Sequence, residues 1–229
     1  MPAAPIREFD DHAADPKVRG YLHAPETPNG NGLVLTHGAG SNAQAPLLIA
    51  LAETFSAAGL TVLRCDLPYR QTRSFGPPGP GDAARDRAGL KNALAAVREM
   101  VFGRLFLGGH SYGGRQSSML CAELSKQTPE AANLVRALLL LSYPLHPPRK
   151  PEQQRTQHLP DLHTPTLFVH GTRDPFGSIA EIEQALKMIP AKTKLLPVEG
   201  AGHDLGHKGK AKQEALVAPV FKAFGEFVS

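Results

Sequence analysis

The strand-like segments of this chain are continuous rather than alternating. Leu33–Thr36, Thr61–Cys65, Leu105–Leu107, Ala137–Leu141 and Thr166–His170 are mostly Val, Leu and Phe, and Val18–Ala24 and Lys194–Val198 complete the set. A strand with one wet face alternates apolar and polar residues. A continuous run needs cover on both faces, which is the situation of a parallel sheet. Helical patterns fill the intervals. Leu47, Leu48, Leu51 and Phe55 share a face and stop at Gly59, a C-terminal cap. Leu90, Leu94, Val97 and Val101 follow Asp82, a candidate N-cap. Ser178 and Glu181 read as a capping box before Ile182, Ala185, Leu186 and Ile189, and Pro219 starts or kinks a last helix. Strand and helix alternating in this way predict an α/β fold, a doubly wound, mostly parallel sheet flanked by helices.

Composition narrows the class further. At 229 residues with 41% hydrophobic and 20% charged, the chain is expected to be a single domain over 1–229 with a full core. No apolar run reaches the length of a membrane span. The first residues, MPAAPIREFDDHAADPKVRG, carry acids and prolines where a signal peptide needs an apolar stretch. Two cysteines, Cys65 and Cys121, make neither a disulfide framework nor a metal-ligand spacing, so the expected compartment is the reducing cytoplasm. The net charge of +4 permits anionic partners without demanding them.

In an open parallel sheet, ligands bind at the carboxyl ends of the strands. The stretch RLFLGGHSYGG places Gly109-x-Ser111-x-Gly113 between an apolar strand and a helical pattern. Glycines on both sides give the backbone room for the sharp turn that projects a nucleophilic serine from the sheet. A phosphate loop would need a Gly-Lys-Ser/Thr ending, which is missing. In such folds the partners follow in the order serine, acid, histidine. Asp174, after strand 166–170, is the expected acid; Asp66 is the reserve, although it precedes the serine. His203, in the loop EGAGHDLGH, is the expected base, with His207 as competitor; Gly200 and Gly202 would let this loop approach the elbow. His37 and His170 are expected to tie down neighbouring loops. The turn THGAG supplies a backbone donor at Ala39, with Gly40 permitting the turn, and Tyr112 supplies the second donor of an oxyanion hole.

Together these motifs resemble the α/β-hydrolase superfamily. Within it, THGAG, CDLPYR, SYGGR, YPLHPP and FVHGTRDPFG are similar to a small lidless branch. That branch includes dienelactone-hydrolase-like proteins and the domains of an NSL-complex subunit and of testis-expressed hydrolase-like proteins. It often has Lys before the elbow serine, where this chain has His110. The resemblance implies a serine hydrolase for a small carboxylic ester or thioester, working through an acyl-enzyme with neither metal nor organic cofactor. Because some members act as scaffolds, a catalytically silent binding protein is the alternative. The Pro-rich loop 143–165 occupies the lid position and is too short for a lid domain.

Five arginines, Arg64, Arg70, Arg73, Arg115 and Arg173, gather near the expected cleft. Arg70, Arg73 and Arg115 are candidate contacts for an anionic substrate group, because guanidinium forks match carboxylate and phosphate. The competing reading has them pair with acids such as Asp66, Asp161 and Glu199, or tie down loops. No nucleic-acid or membrane partner is expected, and the oligomeric state stays open.

Overall fold

A computed structural model describes residues 6–206 and 210–229, with the side chains of 210–214 excepted. The chain runs β1 (Ile6–Asp11), β2 (Val18–His23), β3 (Gly32–Thr36), α1 (Pro46–Ala57), β4 (Thr61–Cys65), α2 (Pro68–Thr72) and α3 (Asp82–Arg98). It continues β5 (Leu105–His110), α4 (Tyr112–Ser125), α5 (Pro129–Ala132), β6 (Ala137–Leu141), β7 (Thr166–Gly171), α6 (Ile179–Leu186), β8 (Thr193–Val198) and α7 (Lys210–Val228). One eight-stranded sheet has the order β1-β2-β4-β3-β5-β6-β7-β8. β1 and β2 are antiparallel additions, and every pairing from β4 to β8 is parallel.

The continuous apolar runs lie where both faces are covered. β3, β4 and β6 are buried at every position. Alternate side chains feed two cores: Val34, Leu107, Leu138 and Leu140 pack with α3 and α4, while Leu33, Leu35, Leu139 and Val169 pack with α1 and α7. Helices on both faces make the sheet doubly wound, as its apolar runs require.

Two local signals appear as expected. Gly59 takes φ +95°, its N–H bonds the Ser56 carbonyl, and the Leu60 N–H bonds that of Phe55, a Schellman ending to α1. Ser178 and Glu181 form the reciprocal capping box of α6. β5 departs from its expected end at Leu107 and runs on through Gly108 and Gly109 to His110.

Other expectations need correction. Asp82 is the first residue of α3 and Gly81 its cap; the Asp82 carboxylate accepts the Gly79 N–H (2.6 Å) and pairs with Arg73. Of the two roles expected for Pro219, the helix start is ruled out, because it lies inside α7. β1, with the sequence IREFDD, gave no strand signal, because an exposed edge strand carries charges that deter further pairing. The segment 143–165 is irregular apart from a 3₁₀ turn at Leu159–Asp161, which packs on α4.

Candidate active site

The parallel strands set the site by ending at one edge. β5 stops at His110, and Ser111 turns the chain into α4 with φ +52° and ψ −117°, a conformation L-residues avoid. Close packing enforces that turn. A Cβ on Gly113 would stand 2.4 Å from the His37 carbonyl oxygen, and one on Gly38 would stand 3.3 Å from the Ser111 Cβ. The loop after β3 and the start of α4 therefore approach as bare backbone. The glycine this loop needs is Gly38; a Cβ on Gly40 would meet nothing within 4 Å, which corrects the role expected for Gly40.

Ser111 Oγ lies 2.8 Å from His203 Nε2. On the other side of the ring, His203 Nδ1 is 2.8 Å from Asp174 Oδ2 and 3.0 Å from Oδ1. The Asp174 side chain is fully buried and His203 is 23% exposed. An acceptor-only carboxylate assigns the ring proton to Nδ1 and leaves Nε2 to accept from the serine hydroxyl. Asp174 Oδ1 also accepts the Phe176 N–H at 2.9 Å. The loop carrying His203 comes close at Gly171, where a Cβ would meet the Ala201 oxygen at 2.4 Å; Gly200 and Gly202 make no comparable approach. His207 lies outside the described residues.

The loop after β3 is held by its carbonyls. Tyr69 Oη donates to the Ala39 oxygen (2.8 Å), Arg70 donates to the Ala39 and Ser41 oxygens (3.0 and 2.8 Å), and His37 Nδ1 donates to Gly38 (2.9 Å). The Gly38 carbonyl, which shares a trans peptide with the Ala39 N–H, accepts from His37 and, at 3.4 Å, from Tyr69 Oη, so that N–H faces away from both. Beneath the loop, the fully buried Asp86 accepts Tyr112 Oη (2.8 Å) and the Tyr69 N–H (3.1 Å). Burial raises the Asp86 carboxyl above its ordinary range and pushes the Tyr69 phenol up to about 12. One carboxylate thus braces both the turn at Tyr112 and, through Tyr69, the turn at Ala39.

Asp66, the reserve acid, belongs to that scaffold. It accepts the Ala43 N–H (2.8 Å) and pairs with Arg19 (3.0 Å). His37 and His170 are loop ties, as expected. His37 Nε2 accepts the Leu67 N–H (3.1 Å) and His170 Nε2 donates to Gly177 (2.8 Å). Burial lowers His37 to about 4 and lowers His170 as well, so both are neutral.

The arginines divide. Arg70, expected as a substrate contact, is buried and donates to the carbonyls of Ala39, Ser41, Arg73 and Gly76, which makes it a clamp on the loops. Arg73 is paired with Asp82. Arg64 is buried against His23 and the Ala43 carbonyl. Asp161 pairs with Lys126 instead of an arginine. Arg115 alone of the three candidates has neither a carboxylate nor a carbonyl among its described partners. Burial raises both cysteine thiols to about 12, so they stay protonated.

Three contacts gave no signal in the sequence. Phe176 lies over the His203 ring, Asp86 braces the two turns, and His110 Nε2 donates to the His203 carbonyl at 2.9 Å. Each joins residues distant in the chain.

A mostly parallel sheet with a strained serine elbow, whose hydroxyl meets a loop histidine backed by a buried carboxylate, defines the α/β-hydrolase class of fold. The chain belongs to that class: the family described as "Alpha/beta hydrolase domain" matches residues 29–229. The dienelactone hydrolase from Anabaena variabilis superposes with TM-score 0.73 at 21% identity, covering 98% of this chain and 99% of that one. Est1E from Butyrivibrio proteoclasticus gives 0.70 at 16% identity over 98% and 99% of the two chains. XC6422 from Xanthomonas campestris, described as a serine hydrolase without lid, gives 0.70 at 15% over 99% and 98%. In sequence, 65 residues are 45% identical to the polyketide synthase ThaQ of Burkholderia thailandensis, which is 28% of this chain and 3% of that protein. No helix of the described residues is long and apolar enough to cross a membrane.

Proposed function

We propose that this protein is a serine hydrolase that cleaves a small carboxylic ester or thioester through an acyl-enzyme. The observation that carries the reading is the hydrogen-bonded chain Ser111 Oγ, His203 Nε2, His203 Nδ1, Asp174. Ser111 Oγ attacks the carbonyl carbon while His203 Nε2 takes its proton. The negative charge that forms on the carbonyl oxygen meets the backbone N–H groups of Ala39 and Tyr112. Asp174 remains ionised and stabilises the imidazolium. His203 then protonates the leaving alkoxide or thiolate, and water, deprotonated by the same imidazole, releases the acid. The residues provide every proton and charge this cycle needs, so neither metal nor organic cofactor enters it.

The motifs THGAG, CDLPYR, SYGGR, YPLHPP and FVHGTRDPFG support membership of the lidless branch related to NSL-complex-subunit and testis-expressed hydrolase-like domains. We read the chain as one domain with residues 143–165 in the lid position, active on a small substrate in the cytoplasm. It engages neither nucleic acid nor membrane.

A fluorophosphonate probe tests the proposal. Wild type should be labelled at Ser111 and should hydrolyse short p-nitrophenyl esters, and Ser111→Ala should lose both. His203→Gln should lower kcat about 10⁴-fold or more, and Asp174→Asn about 10³- to 10⁴-fold. A folded wild-type protein that is neither labelled nor active would leave the silent binding protein as the reading.

A further inference from the structure

The segment 143–165 brings a second arginine to the elbow helix. Arg115 sits on α4 one turn after Ser111, an axial rise of about 6 Å. The Ser111 N–H donates to the Leu141 carbonyl at 2.8 Å, so Tyr143, two residues further on, follows the strand end that adjoins the serine. Tyr143 links Arg115 to Arg155: its hydroxyl donates to the Arg155 carbonyl at 2.8 Å and lies within the field of the Arg115 charge. Both arginines are half-buried.

Nothing among the described residues neutralises this pair. Glu123 is engaged by Arg87, Asp161 by Lys126 and Asp174 by His203. Among the described residues the Arg155 side chain donates only to the Pro144 carbonyl, at a long 3.3 Å, and Arg115 Nε is enclosed with no hydrogen-bond partner. Burial and the neighbouring Arg115 charge lower Arg155 from its ordinary range. His158, beside them and bonded to Ser118 at 2.8 Å, is held down to about 4 and adds no charge. Two like charges kept together out of bulk water are unfavourable until an anion joins them.

We propose that Arg115 and Arg155 form a subsite for a carboxylate on the acyl part of the substrate, so that the preferred substrates are half-esters or half-thioesters of short dicarboxylic acids. This rests on the serine-hydrolase reading. Planar guanidinium forks suit a carboxylate, and one helical turn between Ser111 and Arg115 suits a succinyl or glutaryl chain.

The test compares kcat/KM for mono-p-nitrophenyl glutarate with that for neutral p-nitrophenyl butyrate. Wild type should favour the glutarate about tenfold or more, and this ratio should fall about tenfold in Arg115→Gln and in Arg155→Gln, chiefly through KM. Arg115→Lys, which keeps the charge but loses the fork, should recover part of the ratio. Melting curves identify variants that fail to fold. A wild-type ratio near one while butyrate is turned over overturns the subsite and leaves the hydrolase reading intact, as does a ratio unmoved in both glutamine variants. If neither ester is cleaved, the hydrolase reading fails. Calorimetric titration of the Ser111→Ala protein with glutarate then decides on the subsite by itself. Saturable binding weakened about tenfold by Arg115→Gln supports it; no binding, or tighter binding of inorganic phosphate, overturns it.

Discussion

Phe176 stacks on His203, the ring centroids 4.1 Å apart and the planes 30° from parallel. Its own N–H donates to Asp174 Oδ1 at 2.9 Å, so one residue orients the imidazole through its side chain and the carboxylate through its backbone. Phe176→Ala keeps the backbone bond and removes the stack. It should lower kcat about 10-fold with little change in KM, the pattern of a residue that positions the base. Steady-state kinetics on a p-nitrophenyl ester check this, and a pure KM effect would place Phe176 in substrate binding instead.

Ser111 holds a backbone conformation that favours glycine. Ser111→Gly should raise the unfolding free energy by about 1 kcal/mol or more while abolishing probe labelling. Urea titration reads the first quantity. A variant no more stable than wild type would mean that the turn is relaxed.

Asp86 accepts from both Tyr112 and Tyr69, so Asp86→Ala leaves two buried donors without a partner. Each orphan costs about 1–3 kcal/mol, so the variant should lose roughly 2–6 kcal/mol of stability. Tyr112→Phe removes one bond and leaves no orphaned donor at that site, so it should lose about 1 kcal/mol. Equal losses in the two variants would separate Asp86 from the Tyr69 turn.

Acid stability follows from three buried imidazoles. Burial, aided at His23 by Arg64 and at His158 by Arg115 and Arg87, holds His23, His37 and His158 at about 4. An imidazole in the unfolded chain titrates near 6.5, about 2.5 pH units higher. Between those values the unfolded chain binds protons that the folded chain refuses, so stability rises with pH. It is complete above about pH 6.5 and is lost as pH falls toward 4, with a slope of up to about 1.4 kcal/mol per pH unit for each imidazole. Asp86, raised by burial, opposes this with a single proton. The urea midpoint should drop between pH 7 and 4.5, and His158→Gln should flatten the drop. A midpoint constant over that range would contradict the account.

The sequence by itself determined the layered fold and the position of the elbow. Unbroken apolar runs such as Ala137–Leu141 can be buried only between two helical layers, and Gly109-x-Ser111-x-Gly113 reports a local backbone requirement. Chain order and strand ends were enough to single out Asp174 and His203, which the fold brings to Ser111. The edge strand β1 was illegible because its burial is slight and its residues are charged. Only the tertiary structure decided which arginine does what. Arg70 and Arg115 look alike in sequence, yet Arg70 meets four carbonyls of its own loops while Arg115 meets Tyr143 beside another arginine. Phe176 over His203 and Asp86 beneath Tyr112 were likewise decided there. Periodicity and turn chemistry act between near neighbours, whereas these contacts join segments that meet only when the sheet has formed.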